Sequence, residues 1–480
     1  MARVLLVNSN LMQPPIAPIG LDYLAGHLDA AGHEVELLDL CFADDWRAAV
    51  AARLSRGPAP HIIALTLRNT DDCYCASQQS FLPLVREMLA ALEAGAGDST
   101  LVMGGVGFSL MPKAILSLSQ RWAGVVGDGE LALAALASAI DRGEDAHAVP
   151  GLVTRTGDGE WRAQPASLAE PPRTIGARSW VDNRRYFVAG GQGGIETKRG
   201  CAGRCIYCAD PAAKGRAYRL RPPCEVADEA ERLLAQGVDC LHTCDSEFNL
   251  PPEHALAVCQ EFIRRRLGER MRWYAYCSPG AMTAELIAAM QRAGCVGINF
   301  GTDSACDAVL RALRRDFNAA DIARVGEMCR AAGMTYMCDL LLGGPGETRE
   351  TADETIRVMQ ELGPDAVGVA IGLRIYPGTQ LARIVRADGF RPDNPSLVGA
   401  VEGNEDLARP VFYLSAALGK DYGRELHARL RPGGPLGARF FLGGSADETD
   451  YNYNANAALV AAIKAGARGA YWDILRRLRV

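Results

Sequence analysis

The chain has no uninterrupted apolar run of about 18 residues, the length that a membrane-crossing helix needs, so no bilayer span is expected. It has no excess of positive charge. Its 51 Lys and Arg residues stand against 57 Asp and Glu, a net charge of −6, which argues against a broad phosphate-binding surface and against nucleic acid as substrate. Outside one cluster, its 15 cysteines lack regular spacing. A disulfide framework is therefore not expected, and a reducing compartment fits better. The opening run Met1–Val7 is too short for a signal-peptide core followed by a cleavage site, so the expected location is cytoplasmic. Fixed-period repeats and low-complexity tracts are missing too.

What is present is ample material for packed cores: 49% of residues are apolar and 22% charged, and 480 residues suggest about three domains. Residues 1–145 alternate short apolar runs with helix-period segments. Strands are expected at Val4–Val7, Val35–Leu38, Ile62–Leu67, Leu101–Met103 and Val125–Val126, with helices at Leu21–Ala31, Asp44–Leu54, Gln78–Leu92 and Leu131–Ile140. Such alternation implies an α/β, doubly wound parallel sheet whose ligands sit beyond the carboxyl ends of the strands. The small and polar residues Asn69, Thr70, Gly104, Gly105, Gly127 and Glu130 follow strand candidates in this way.

Residues 146–190, rich in proline, glycine and mixed charge, read as a linker with one hairpin around Thr154–Trp161. A second alternating series over residues 191–390 has six expected strands, at Gly194–Lys198, Cys240–Cys244, Arg272–Tyr276, Val296–Phe300, Thr335–Leu342 and Ala366–Leu373. Six strand–helix units imply a partial, TIM-like (β/α)6 barrel whose active face is the carboxyl end of its strands. Residues 391–480 form a small α-rich domain ending in a helix near Leu459–Leu478. Its Tyr413, Tyr451, Tyr453 and Trp472 either line a substrate pocket or pack onto the barrel.

After the first strand of the second series stand Cys201, Cys205 and Cys208. Three soft thiolates in eight residues can hold three corners of an iron–sulfur cluster, leaving a fourth iron open. Structural zinc is the alternative, but it wants four closed ligands, and no second cysteine pair follows at finger-like spacing. Lys198, Arg199 and Arg204 flank the triad, either to offset cluster charge or to bind a substrate anion.

The spacing, with Tyr207 before the last cysteine, resembles the signature of the radical S-adenosylmethionine (SAM) superfamily. The resemblance implies a 4Fe-4S cluster on the triad, SAM on its open iron, and Tyr207 packed beside the cofactor. Ser246 or Glu247, ending the second strand, would meet the methionine amino group. Asp303 and Ser304 stand where relatives carry Gly-x-Glu-Ser, and would meet ribose or an ammonium group. Gly343 and Gly344 resemble the strand-five element that lies against adenine, where a missing Cβ allows close approach.

The first 145 residues resemble the cobalamin-binding domain attached to many of these enzymes, through the proline-rich loop leading to Gly20–Ala25, the helix end Ala31–His33, Asp39, and the loops at Gly104–Gly105 and Gly127–Glu130. Asn69, Thr70 and those loops would then bind cobalamin. No Asp-x-His-x-x-Gly motif follows the first strand, so that loop is not expected to supply a histidine to cobalt.

Together the resemblances imply a cobalamin-dependent radical SAM methyltransferase acting on a carbon of a small natural-product intermediate. One SAM would methylate cobalamin and a second would yield a 5′-deoxyadenosyl radical. An electron donor such as flavodoxin or ferredoxin is implied, and no nucleic-acid or membrane partner. The same cofactors also support ring contraction, cyclisation or other rearrangement, and a non-catalytic cobalamin or metal sensor is the rival of another class.

Overall fold

The computed structural model describes residues 1–145, 148–155, 160–164, 178–430, 439–443 and 452–479. Its first sheet contains β1 (Arg3–Asn8), β2 (Glu34–Asp39), β3 (Ile62–Thr66), β4 (Thr100–Gly104) and β5 (Trp122–Val125), parallel and in the order β2-β1-β3-β4-β5. The apolar runs are continuous because both faces are covered. Val4 and Leu6 pack under the helices Ile19–Ala30 and Gly129–Arg142, whereas Leu5 and Val7 pack under Trp46–Leu54 and Leu82–Gly95.

The hairpin forms as β6 (Leu152–Arg155) and β7 (Trp161–Ala163), which extend this sheet antiparallel beyond β5. The segment read as a linker thus does more than connect. At its end, the fully buried Arg178 ion-pairs with Asp22 at 2.8 Å and with Glu229. Tyr23 donates to Glu229 at 2.7 Å, and Arg221 completes the hub at 2.7 Å from the same carboxylate. This ionic knot joins the first domain to the second.

The second sheet begins with β8 (Gly193–Ile195). The short hairpin β9 (Lys198–Arg199) and β10 (Arg219–Leu220) follows, and the sheet continues through β11 (Cys240–Thr243), β12 (Arg272–Cys277), β13 (Cys295–Asp303), β14 (Tyr336–Leu342) and β15 (Ala366–Ile371). Beyond it lie β16 (Leu373–Arg374), β17 (Leu397–Gly399), β18 (Val411–Tyr413) and β19 (Phe440–Leu442). β19 pairs parallel with β15, so the sheet β8-β11-β12-β13-β14-β15-β19 has a seventh strand, supplied by the C-terminal segment.

The expected terminal helix is two, Ala457–Lys464 and Tyr471–Leu478. Gly466 and Gly469 break it, with φ of +105° and +137°, which a continuous helix cannot hold. Trp472 packs edge-on against Tyr274, and Tyr453 against Tyr471, so these aromatics serve packing. Tyr451 lies outside the described residues. No described helix is long and apolar enough to cross a membrane.

Candidate active site

The triad loop leaves β9 at the carboxyl end of the barrel, and three backbone bonds pin it. Cys201 N–H donates to Gly215 at 3.0 Å, Ile206 N–H to Leu313 at 3.2 Å, and Leu381 N–H to the Ile206 carbonyl at 2.8 Å. Gly203 stands between two sulfurs: a Cβ there would lie 3.2 Å from Cys201 Sγ and 3.9 Å from Cys205 Sγ. The loop therefore keeps open the space that a cluster on these thiols would occupy. Burial pushes the Cys205 thiol up to about 11 and the Cys208 thiol to about 12, and raises Cys201. Cluster assembly on this loop must therefore displace protons.

Arg315, which no sequence pattern singles out, organises the acids around the triad. Its Nη1 lies 2.8 Å from Cys205 Sγ, its Nη2 donates to Glu247 at 3.2 Å and to the Gly301 carbonyl at 2.9 Å, and its Nε stands 3.3 Å from Asp303. Burial opposes its charge, but Asp303 foremost holds the guanidinium above its ordinary range. Asp303 itself is raised by burial despite that cation, and accepts from Tyr207 Oη at 2.6 Å. A register shift in β13 between Gly301 and Asp303, with Asp303 at φ +59°, turns this carboxylate toward the triad.

Of the pair Ser246 and Glu247, Glu247 faces the triad. Ser246 instead donates to Asp210 at 2.6 Å. Ser304 is a correction: its hydroxyl is fully buried, bonded to Thr355 at 2.9 Å and to Cys306 N–H at 3.1 Å, and turned away from the cleft. Gly343 and Gly344 donate their N–H groups to Glu347. The neighbours that a Cβ would meet there are Leu414 at 2.5 Å and Leu313 at 2.9 Å, so leucine packing explains these glycines. Lys198 and Arg199 are committed to carboxylates: Lys198 to Asp245 at 3.6 Å, and Arg199 to Glu130 at 2.7 Å and Glu196 at 2.9 Å. Glu130 is thus a domain-joining ion pair rather than a free cofactor contact.

In the first domain the strand order reverses between β1 and β3, where ligands enter sheets of this topology. A pocket of about 240 Å³ opens there, lined by Asn10, Met12, Arg68, Asn69, Phe81 and Asn454 among others. The buried Asn10 amide nitrogen in its wall has no hydrogen-bond partner among the described residues. Gly105, at φ +98°, lets the end of β4 abut this wall, since a Cβ would lie 2.5 Å from the Leu67 carbonyl. Gly104 precedes it, and Gly127 N–H donates to Ser109 at 3.0 Å. Thr70 is buried, with its hydroxyl on Asp71 at 3.1 Å.

The loop carrying Thr70 crosses to the barrel. Asp71 pairs with Arg374 at 3.0 Å, Cys73 Sγ lies 2.9 Å from Tyr376 Oη, and Asp72 accepts from Asn452 at 3.2 Å. Arg68, Cys73 and Cys244 are reached by solvent yet enclosed by protein, because they line the gap between the two domains. An enclosed gap, an unpartnered amide and a pocket at the switch point fit a large cofactor with a polar tail. Asn10, Arg68 and Asn69, which line that pocket, are the side chains that would hold it.

The chain matches the radical SAM superfamily over residues 195–359 and the B12 binding domain over residues 11–137. It is 34% identical over 455 residues to the tryptophan 2-C-methyltransferase of Streptomyces laurentii, covering 81% of this chain and 75% of that one. It superposes with a TM-score of 0.89 on the radical SAM methyltransferase TsrM from Kitasatospora setae, solved with tryptophan substrate and a SAM analogue, at 32% identity and over 99% and 98% of the two chains. The cobalamin-dependent SAM radical enzyme OxsB, at 15% identity and a TM-score of 0.72 over 89% of this chain and 66% of that one, shares the fold. With both cofactor domains matched in order and a methyltransferase aligned along nearly its whole length, this chain belongs to the cobalamin-dependent radical SAM methyltransferases, enzymes that use a 4Fe-4S cluster, SAM and cobalamin to methylate carbon.

Proposed function

We propose that the chain methylates a ring carbon of tryptophan or a close indole amino acid. The observation that carries this reading is a polar pair inside the barrel. Ala275, Ile298, Phe300, Cys338 and Leu340 alternate outward into the helix-covered core, which turns Tyr276, Asn299 and Asp339 into the lumen. Asn299 Nδ2 donates to Asp339 at 2.6 Å, while its buried Oδ1 has no partner among the described residues. A carboxylate beside an open amide oxygen suits the ammonium of an amino acid, and Tyr276 offers a ring face next to it. The relatives that bind or methylate tryptophan support the same substrate class.

When bound, the three cofactors supply electrons, a methyl carrier and the methyl group. The chain's part is to hold Arg315 and Asp303 beside the triad, to anchor the substrate at Asp339, and to wall the gap between domains. An electron donor such as flavodoxin or ferredoxin is part of this proposal.

Anaerobic incubation of the reconstituted chain with tryptophan and methyl-deuterated SAM is expected to yield one labelled methyl per product and one S-adenosylhomocysteine. Asp339→Asn is expected to raise KM about tenfold or more, the loss of a charge-assisted hydrogen bond, with a smaller effect on kcat. Formation of 5′-deoxyadenosine reports the target: an aromatic carbon–hydrogen bond resists abstraction, so this co-product should accompany methylation of a saturated carbon. No labelled product from any indole amino acid would overturn the substrate assignment, and an unlabelled rearranged product would replace methylation altogether.

A further inference from the structure

The outer surface of the triad loop carries arginines that the site does not use. Arg204 lies between Cys201 and Cys205. Arg216 follows Gly215, which holds the Cys201 N–H; Arg311 and Arg314 flank Leu313, which holds the Ile206 N–H; and Arg383 lies two residues after Leu381, whose N–H holds the Ile206 carbonyl. Those three backbone bonds gather three segments of chain around one loop. All five arginines are exposed, and none forms an ion pair with a described residue. Their neighbours Lys198, Arg199, Arg219 and Arg315 are all paired with carboxylates.

In a chain of net charge −6 this concentration of unpaired cations runs against the overall sign. Asp316 is exposed among them and Asp307 is exposed one helical turn before Arg311, two acids against five arginines; the other exposed side chains interleaved there are Ala202, Ala212, Ala217, Ala312, Asn318 and Leu220. Phe317 is buried and Tyr207 and Tyr218 are half-buried, so no fully exposed ring is offered for base stacking, which single-strand nucleic-acid binders use. Cys205, half-buried, is the thiol adjoining Arg204 in this loop.

We propose that this surface docks an acidic electron-transfer protein carrying a reduced flavin or iron–sulfur group. The inference rests on the reading of the triad as a redox cluster. One electron leaves the partner's group, which is oxidised by one equivalent, and is taken up at the triad, with no bond made or broken. Arginine suits the role because its planar guanidinium meets carboxylates in a fork and keeps its charge at any working pH. Opposite charges at a rim speed the encounter more than they tighten the complex, which suits a donor that must leave after each electron.

The test uses full-length protein holding its cluster, with flavodoxin as probe and Arg216→Glu, Arg311→Glu and Arg383→Glu as variants. Arg86→Glu, an exposed arginine on the first domain, is the control for net charge. At low ionic strength the flavodoxin association rate is expected to fall about tenfold in each patch variant and to change little in Arg86→Glu, the difference vanishing at high salt. Reduction by dithionite should proceed at the wild-type rate in all of them. An unchanged association rate, or an equal fall in Arg86→Glu, would overturn the proposal. So would transfer RNA binding that the same patch variants abolish while flavodoxin association is untouched. A wild-type chain whose cluster dithionite cannot reduce would instead sink the reading of the triad, a failure visible without any donor present.

Discussion

Arg178 bonds Asp22, Glu229 and Asn183 at once, from a segment with no regular pattern in the sequence. Removing one member of a buried ion pair leaves uncompensated charge, so Arg178→Met is expected to cost about 3–5 kcal/mol in denaturant unfolding. Glu347 sets the opposite problem. It is fully buried with one carboxylate oxygen unpartnered, and burial pushes it from 4.5 up to about 7 even though Gly343 and Gly344 donate to it. The folded state therefore keeps a proton that the unfolded state releases. Stability contributed by this group is greatest below about pH 4.5 and is lost as pH rises through about 7, a difference of about 3 kcal/mol. Unfolding of Glu347→Gln at about pH 5 and about pH 8 should show that slope flattened relative to wild type.

At the scale of elements, the turn at Gly105 holds β4 against the wall of the switch-point pocket. Gly105→Ala would force a left-handed alanine into the Leu67 carbonyl, so a loss of about 1–3 kcal/mol is expected. Hydroxocobalamin affinity should fall about tenfold as the Leu67–Asn69 wall shifts. In the wild type the bound spectrum is expected to be base-off without imidazole ligation, since the loops after β1 and β3 carry no histidine. The strands were legible because both faces of each sheet are buried, which writes continuous apolar runs, and the triad because its spacing is chemical rather than structural. Arg315 was not legible, because it follows a short helix and meets Asp303 and Glu247 only after the barrel closes. Ser304 misled for a related reason: the turn that aims Asp303 at the triad points the next side chain into the core. The break at Gly466 and Gly469 could have been read from those two glycines, but the apolar periodicity on either side masked it.

At the scale of the molecule, Arg199 with Glu130 and Arg219 with Asp128 add a second seam beside the Arg178 hub, so the two domains are locked on both sides of Tyr23. Glu130→Gln combined with Asp128→Asn is expected to leave both cores intact while lowering the denaturant midpoint relative to wild type, because Arg199 and Arg219 lose their partners in the other domain. The barrel depends on distant chain in another way. β19 fills the edge of β15 about seventy residues after that strand, and Asp473 accepts from Tyr274 at 2.8 Å across 199 positions. During translation, then, the first sheet can form while the ribosome is still reading the barrel, but β15 keeps a bare edge until Leu442 has left the exit tunnel. Stalled chains ending near residue 430 should show a protease-resistant first domain and a sensitive, aggregation-prone second one. Iron loading into the triad would consequently wait for Phe440–Leu442 to reach the β15 edge rather than follow the emergence of Cys208.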